Sequence, residues 1–322
     1  MLEWSVIEWE FGSADLAGLR FAHSPLAEVV ASALVLRGGG RGAPEAAWCA
    51  RVRPMLSRWP VFRAVLFGPH GHAPDFLAPP PRTARPTLAE ELAEVAASPL
   101  DVVAEEVAAA WAGHSAPPEV TGFARDPRTW LSLLVIEIRE FSEVAIGPLW
   151  PRLRAVAEAE IAGRARAVVD HGARAMLGGL HPRLGWTGSE LLLRYPHKHG
   201  RWSLDGHHLT LLPTGFAGSE VYALPAARTG RTLWYAPRGH GTLWLPAVPK
   251  PSLAALLGAS RAAVLTLLAA PYSTGEVAHR LGLATATTSY HLTTLRDAGL
   301  VVGVRAGRRL LYQRTVLGDG LV

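Results

Sequence analysis

The sequence predicts an α+β fold: a mainly helical N-terminal domain with a small antiparallel sheet, then a short basic C-terminal domain of helices closed by a hairpin. Three observations lead there. Apolar residues recur at helical spacing over the first half of the chain, whereas from Leu191 they cluster in short runs divided by glycines. The segment Pro246-Ala247-Val248-Pro249-Lys250-Pro251 holds three prolines in six residues, which suits an extended connection. Beyond it, seven arginines stand against Glu276, Asp297 and Asp319, a net of +4, leaving +1 of the chain's +5 for everything upstream. With about 150 residues as a common domain size, a chain of 322 residues favours two domains. The boundaries expected are 1–245, a linker at 246–251, and 252–322.

Leu2 to Phe11 alternates loosely and reads as a strand. Ser24-Pro25 supplies an N-cap and a first-turn proline for a helix to about Leu36, ended by Gly38 to Gly42. Arg51 to Pro86 is broken by prolines, above all Pro79-Pro80-Pro81, and reads as a short ordered loop or linker. Thr87 with Glu90, and Ser98 with Asp101, match a capping pattern before two short alanine-rich helices that end near Gly113. Asp126-Pro127 opens another helix through about Val144. From Pro148, the spacing of Leu149, Leu153, Val156, Ile161, Val168, Val169, Met176 and Leu177 predicts one helix of roughly thirty residues, packed on its own domain or against a second subunit. The runs Leu191 to Leu193, Leu209 to Leu212 and Leu233 to Tyr235, with Gly200, Gly206, Gly230 and Gly239 beside them, read as the small antiparallel sheet.

Composition narrows the function classes. No apolar run reaches the roughly 18 residues that cross a bilayer, and the opening MLEWSVIEWE lacks a basic cluster, so a cytoplasmic chain without membrane contact is expected. Cys49 is the one cysteine, which excludes an internal disulfide and a multi-thiolate metal site and suits a buried thiol. His70, His72 and Asp75 are better explained by a Gly- and Pro-rich turn than by a metal, and His197, His199, His207 and His208 have no Cys, Asp or Glu partner at an obvious ligand spacing apart from Asp205, so no metal or cofactor is expected. No G-x-S-x-G elbow, phosphate loop, H-E-x-x-H pair or G-x-G-x-x-G fingerprint occurs, and no enzyme is expected. The tryptophans and mixed structure of the large domain suit a ligand pocket.

The C-terminal residues are the informative ones. Ser260 to Ala270 is a helix with Ala263, Val264, Leu267 and Leu268 on one side, stopped by Pro271. Ser273 and Glu276 form a capping box for a helix that Gly282 ends. Thr285 is placed to cap the next helix, in which Thr288, Leu292 and Leu295 point inward and Thr287, Ser289, Tyr290, His291 and Thr294 point outward. Gly299 suits a left-handed C-cap, and Leu300 to Val304 and Leu310 to Gln313 read as strands around Arg305-Ala306-Gly307-Arg308-Arg309. Helix, short helix, turn, helix and basic hairpin in this order describe a winged helix-turn-helix, in which one helix enters the major groove while the wing meets phosphates or the minor groove.

The stretch STGEVAHRLGLATATTSYHLTTLRDAGLVVGVRAGRRLLYQRT, over about Leu256 to Thr315, resembles the ArsR family of bacterial repressors, above all in SYHLTTLRDAGLV and RAGRRLLY. The rest resembles a large N-terminal domain of unknown function fused to such winged helices, through SPLAEVVASALVL, PDFLAPPP and LWYAPRGHGTLW. The resemblance implies that Thr285, Thr287, Ser289, Tyr290 and His291 face double-stranded DNA, while Thr274, Arg305, Arg308 and Arg309 meet the backbone or, for the arginines, the minor groove. Ala286 stands where the family often carries a polar residue, so that contact is not carried over. The family's metal-sensing members use a cysteine pair, or ligands on a final helix; this chain has neither, and with Val322 so soon after the wing that final dimerisation helix is not expected.

The expectation is therefore a homodimeric DNA-binding transcriptional repressor whose large domain dimerises and is the candidate for sensing a small-molecule effector. The alternatives are an enzyme or ligand-processing domain fused to a DNA-binding module, and a winged helix that binds a protein.

Overall fold

The computed structural model describes residues 4–12, 15–38, 44–71, 73–196, 200–204, 208–224, 231–244, 251–269, 271–306 and 309–322. The chain divides into two units, Met1–Leu243 and Trp244–Val322. Most of the expected linker, residues 246–250, lies outside the described residues.

The N-terminal unit begins with β1 (Trp4–Glu10), β2 (Arg20–Phe21) and α1 (Pro25–Gly38). The predicted cap is present: the Ser24 hydroxyl oxygen accepts the Ala27 N–H at 2.9 Å. Burial surrounds much of α1, and the buried set includes a carboxylate, Glu28. Next come α2 (Ala46–Val52), α3 (Pro60–Leu66), α4 (Leu88–Ala96), α5 (Leu100–Ala109), α6 (Pro118–Arg125) and α7 (Pro127–Phe141). Helix α3 corrects the expected loop between Arg51 and Pro86, because Pro60 sits at the first helical turn and starts a helix there. Cys49, on α2, is buried, and burial pushes its thiol pKa up. Thr87 and Glu90 form both bonds of their capping box. Ser98 does not cap: Pro99 occupies the N-cap position of α5 and no side chain bonds there.

After α7, Ser142–Ile146 form a π-helical turn, followed by α8 (Trp150–His171). Helix α8 has 22 residues and not the expected thirty, because Gly172 leaves it with φ +81°. Its buried residues are Leu153, Ala157, Glu160 and Arg164, while Val169 is 84% exposed. A buried ion pair thus replaces part of the expected apolar stripe.

The remaining strands are β3 (Leu184–Trp186), β4 (Glu190–Pro196), β5 (Gly200–Ser203), β6 (Leu209–Pro213), β7 (Val221–Leu224) and β8 (Arg231–Tyr235). They do not make one small antiparallel sheet. Two mixed four-stranded sheets form, in the orders β3-β4-β1-β5 and β2-β6-β8-β7. The pairs β1/β5, β2/β6 and β6/β8 are parallel. Local turn residues suggest hairpins, but a turn carries no information about a partner strand near the N-terminus, and β1 enters between β4 and β5 with Ile7 opposite Leu193 and Trp9 opposite Leu191. The sheets share a core of Ile7, Trp9, Leu191, Leu193, Leu209, Leu211, Leu233 and Tyr235.

The C-terminal unit contains α9 (Pro251–Leu257), α10 (Ala259–Leu267), α11 (Thr274–Leu281), α12 (Thr285–Asp297), the antiparallel pair β9 (Val301–Ala306) and β10 (Arg309–Arg314), and α13 (Val316–Leu321). Its core joins Leu253, Val264, Leu265, Leu268, Val277, Leu292, Leu295, Leu300, Val301 and Tyr312. A short helix follows the hairpin: Thr315 caps the six-residue α13, and Leu321 and Val322 pack against this core.

Among the described residues, no helix is long and apolar enough to cross a membrane, and no group of three or more His, Cys, Asp or Glu is placed to hold a metal ion. His70 lies 2.7 Å from the Ala112 carbonyl and packs edge-on to His114, while His72, His197, His199, Asp205 and His207 are outside the described residues.

Candidate nucleic-acid interface

Helix α11 starts where Ser273 and Glu276 satisfy each other. The Ser273 hydroxyl oxygen accepts the Glu276 N–H at 3.4 Å, and the Glu276 carboxylate accepts the Ser273 N–H at 2.8 Å and its hydroxyl at 2.7 Å. These bonds, with a further one from Arg309, hold the Glu276 carboxyl down at about 2. Gly282, at φ +63°, ends the helix in the left-handed region and turns the chain into α12.

Helix α12 buries Thr288, Leu292 and Leu295. Buried Thr288 stays satisfied because its hydroxyl donates to the Ala284 carbonyl at 3.1 Å. This bond accompanies a correction: Ala284, not Thr285, is the N-cap residue, and no side chain caps the helix. Thr285 is the first helical residue and is exposed. The first-turn N–H groups are therefore left without a side-chain acceptor, the arrangement that suits a phosphate oxygen.

Thr285, Thr287, Ser289 and Tyr290 are all exposed, and Tyr290 is 66% exposed, a large aromatic surface for a side chain beside a packed core. His291 is half-buried beside Tyr290, ring centres 5.8 Å apart, and its Nδ1 is buried without a hydrogen bond. Thr294 does not present a free hydroxyl, since it donates back to the Tyr290 carbonyl at 2.9 Å. Thr274, one residue beyond the cap of α11, is half-buried.

The hairpin carries the cations. Arg305 is exposed, and Arg308 lies outside the described residues. Arg309 donates to Glu276 at 2.6 Å, tying β10 to the cap of α11. Both partners of that pair are open to solvent, at 61% and 43% exposure, so it is a weak tether that a phosphate can compete with. Backbone bonds between Tyr272 and Tyr312, at 3.1 and 2.8 Å, add a rung to the hairpin, and the Arg280 guanidinium lies over the Tyr272 ring at 4.7 Å. Neither Arg280 nor the Arg309–Glu276 link was among the expected site residues. The nearest signal for the link is the acid of the capping box itself, which sequence spacing assigns to α11 alone.

Residues 257–304 match the family described as a helix-turn-helix domain, a match that runs from the end of α9 into β9. The C-terminal unit holds a helix-turn-helix domain. The chain is accordingly a DNA-binding regulator in the general sense, with α11 and α12 as the two helices around the Gly282 turn. The match does not reach β10, and no curated protein and no solved structure matches the chain.

Proposed function

We propose that the chain is a cytoplasmic, homodimeric, sequence-specific transcriptional repressor of the ArsR type, with residues 252–322 forming a winged helix-turn-helix and no catalytic activity of its own. The observation that carries this reading is the exposed row Thr285, Thr287, Ser289 and Tyr290 on a helix whose opposite side is anchored in the core. Hydroxyl groups on such a face suit hydrogen bonding to base edges, while Thr274, Arg305, Arg308 and Arg309 are assigned to the backbone or, for the arginines, the minor groove. His291 joins the face at its buried edge. The N-terminal unit supplies the subunit contact and responds to a small-molecule effector.

The test is anisotropy binding of Ser289→Ala and Tyr290→Ala to a selected duplex and to random duplex. The reading expects each lost base contact to reduce discrimination by about 1 to 3 kcal/mol with little change on random DNA. Equal losses on both duplexes would reject base readout by α12.

A further inference from the structure

The N-terminal unit contains a cleft of about 460 Å³, within the range of roughly 300 to 1,000 Å³ typical of small-molecule sites. Its apolar wall is formed by Pro25, Leu88, Ile146 and Trp150. At the mouth, Arg85 and Arg154 converge on a single oxygen of Glu158, at 3.2 and 3.0 Å. Both guanidiniums remain largely open to solvent, at 72% and 56% exposure. At this end two guanidiniums share one carboxylate oxygen, which leaves several N–H donors open to an anion, while Glu143 elsewhere in the lining balances the second cation.

Two further features show that the cleft is built and not a packing accident. The π-helical turn Ser142–Ile146 forms part of the wall, closed by Gly147 N–H donating to the Ser142 carbonyl at 2.7 Å. A Cβ at Gly147 would lie 2.6 Å from the Glu143 carbonyl oxygen, so the turn depends on glycine there. Such turns are uncommon and recur at functional sites. His23, only 4% exposed, also lines the cleft and stacks on Trp150 with ring centres 4.6 Å apart and planes 7° from parallel. Its Nε2 is buried without a hydrogen bond, with the Glu28 carboxylate 3.6 Å away.

We propose that this cleft binds a small organic monocarboxylate with an apolar, ring-sized body, the body against Trp150, Ile146 and Leu88 and the carboxylate bridging Arg85 and Arg154. A single carboxylate suits the open N–H donors of the two guanidiniums. A dianionic phosphate would meet excess repulsion from Glu158 and from Glu143, which also lines the cleft. The proposal deepens the effector part of the functional reading. It is tested without DNA, so its failure and the failure of DNA recognition are separable.

The experiment is isothermal titration of the full chain with 2-naphthoate, 2-naphthamide and 2-naphthyl phosphate. Naphthoate is expected to bind at least about tenfold more tightly than the amide, a margin that one charge-assisted contact supplies, and more tightly than the phosphate. Arg85→Gln with Arg154→Gln should bring naphthoate down to the amide's affinity, and Glu158→Gln should tighten naphthoate. Unchanged melting temperatures establish that these substitutions leave the fold intact. No saturable naphthoate binding up to about 1 mM, equal binding of acid and amide, or weaker naphthoate binding in Glu158→Gln would each overturn the proposal.

Discussion

Among the described residues, the N-terminal unit holds Glu28, Glu91, Glu160 and Arg164 each at no more than 4% exposure, whereas the buried polar side chains of the C-terminal unit are the uncharged Thr266 and Thr288. The buried charges of the first unit are all engaged. Glu28 accepts the Gly215 and Phe216 N–H groups at 2.7 and 3.2 Å, and Glu91 accepts the Leu26 N–H at 2.8 Å together with the Ser24 hydroxyl. Glu160 pairs with Arg164 at 2.7 Å, and Arg164 also donates to the Gly179 carbonyl at 3.0 Å, clamping the turn after Gly172 to α8. In the second unit the ionic groups lie on or near the surface, where they are available to a polyanion, apart from Arg314, which is mostly buried and pairs with Asp319 at 2.7 Å. Buried charge ties distant segments into one arrangement, while surface charge leaves a unit free to meet a partner.

The sharpest way to break this contrast is to remove one member of the buried pair. Glu160→Ala leaves the Arg164 guanidinium uncompensated inside the N-terminal unit and should cost about 3 to 5 kcal/mol in urea unfolding. Replacing both residues, as Glu160→Leu with Arg164→Met, should cost clearly less than the single change, and a larger loss in the double variant would show that the pair is not what holds the turn.

Next in size is a pH effect. Burial pushes the Glu91 carboxyl from 4.5 up to about 7, against the bonds from Ser24 and Leu26 that lower it. A carboxyl raised by folding stabilises fully below its unfolded value and loses that contribution as pH climbs through the folded value. Unfolding free energy should therefore fall between about pH 4.5 and pH 7, by up to about 3 kcal/mol from this group, and Glu91→Gln should flatten the decline. Parallel curves for the two proteins would remove Glu91 as the cause.

Smaller changes are expected in the C-terminal unit. Ser273→Ala removes the acceptor for the Glu276 N–H and should cost about 1 kcal/mol of stability. Glu276→Gln keeps a residue competent for the capping box but releases Arg309, so affinity for random duplex should rise and become more salt-dependent. Weaker binding by that variant would mean that the tether positions Arg309 for DNA and does not restrain it.

The same contrast decides how much was readable from the sequence. In the C-terminal unit helical spacing is a working rule on α12, where it places Thr288, Leu292 and Leu295 inward, and the Ser273–Glu276 box and the Gly282 and Gly299 turns follow from local chemistry, although Leu256, Val302, Val304, Leu310 and Leu317 are exposed. The cap of α12 was misplaced by one residue because a threonine at the helix start is equally at home as the first helical residue. In the N-terminal unit the rule fails on α8, where Glu160 and Arg164 are buried and Val169 is exposed, since a paired charge carries no apolar signature. The sheets were misread for another reason: pairing of β1 with β4 and β5 joins residues far apart in the chain, and no local pattern records it. The cleft shares that cause, since His23, Arg85, Trp150 and Glu158 meet only through tertiary structure.

The most direct measurement is binding of the purified chain to the DNA upstream of its own gene and to random duplex, by mobility shift across a salt series. The account predicts preferential binding to the upstream DNA, with affinity falling steeply as salt rises. Equal binding to both duplexes, or none, would contradict sequence-specific recognition by α12.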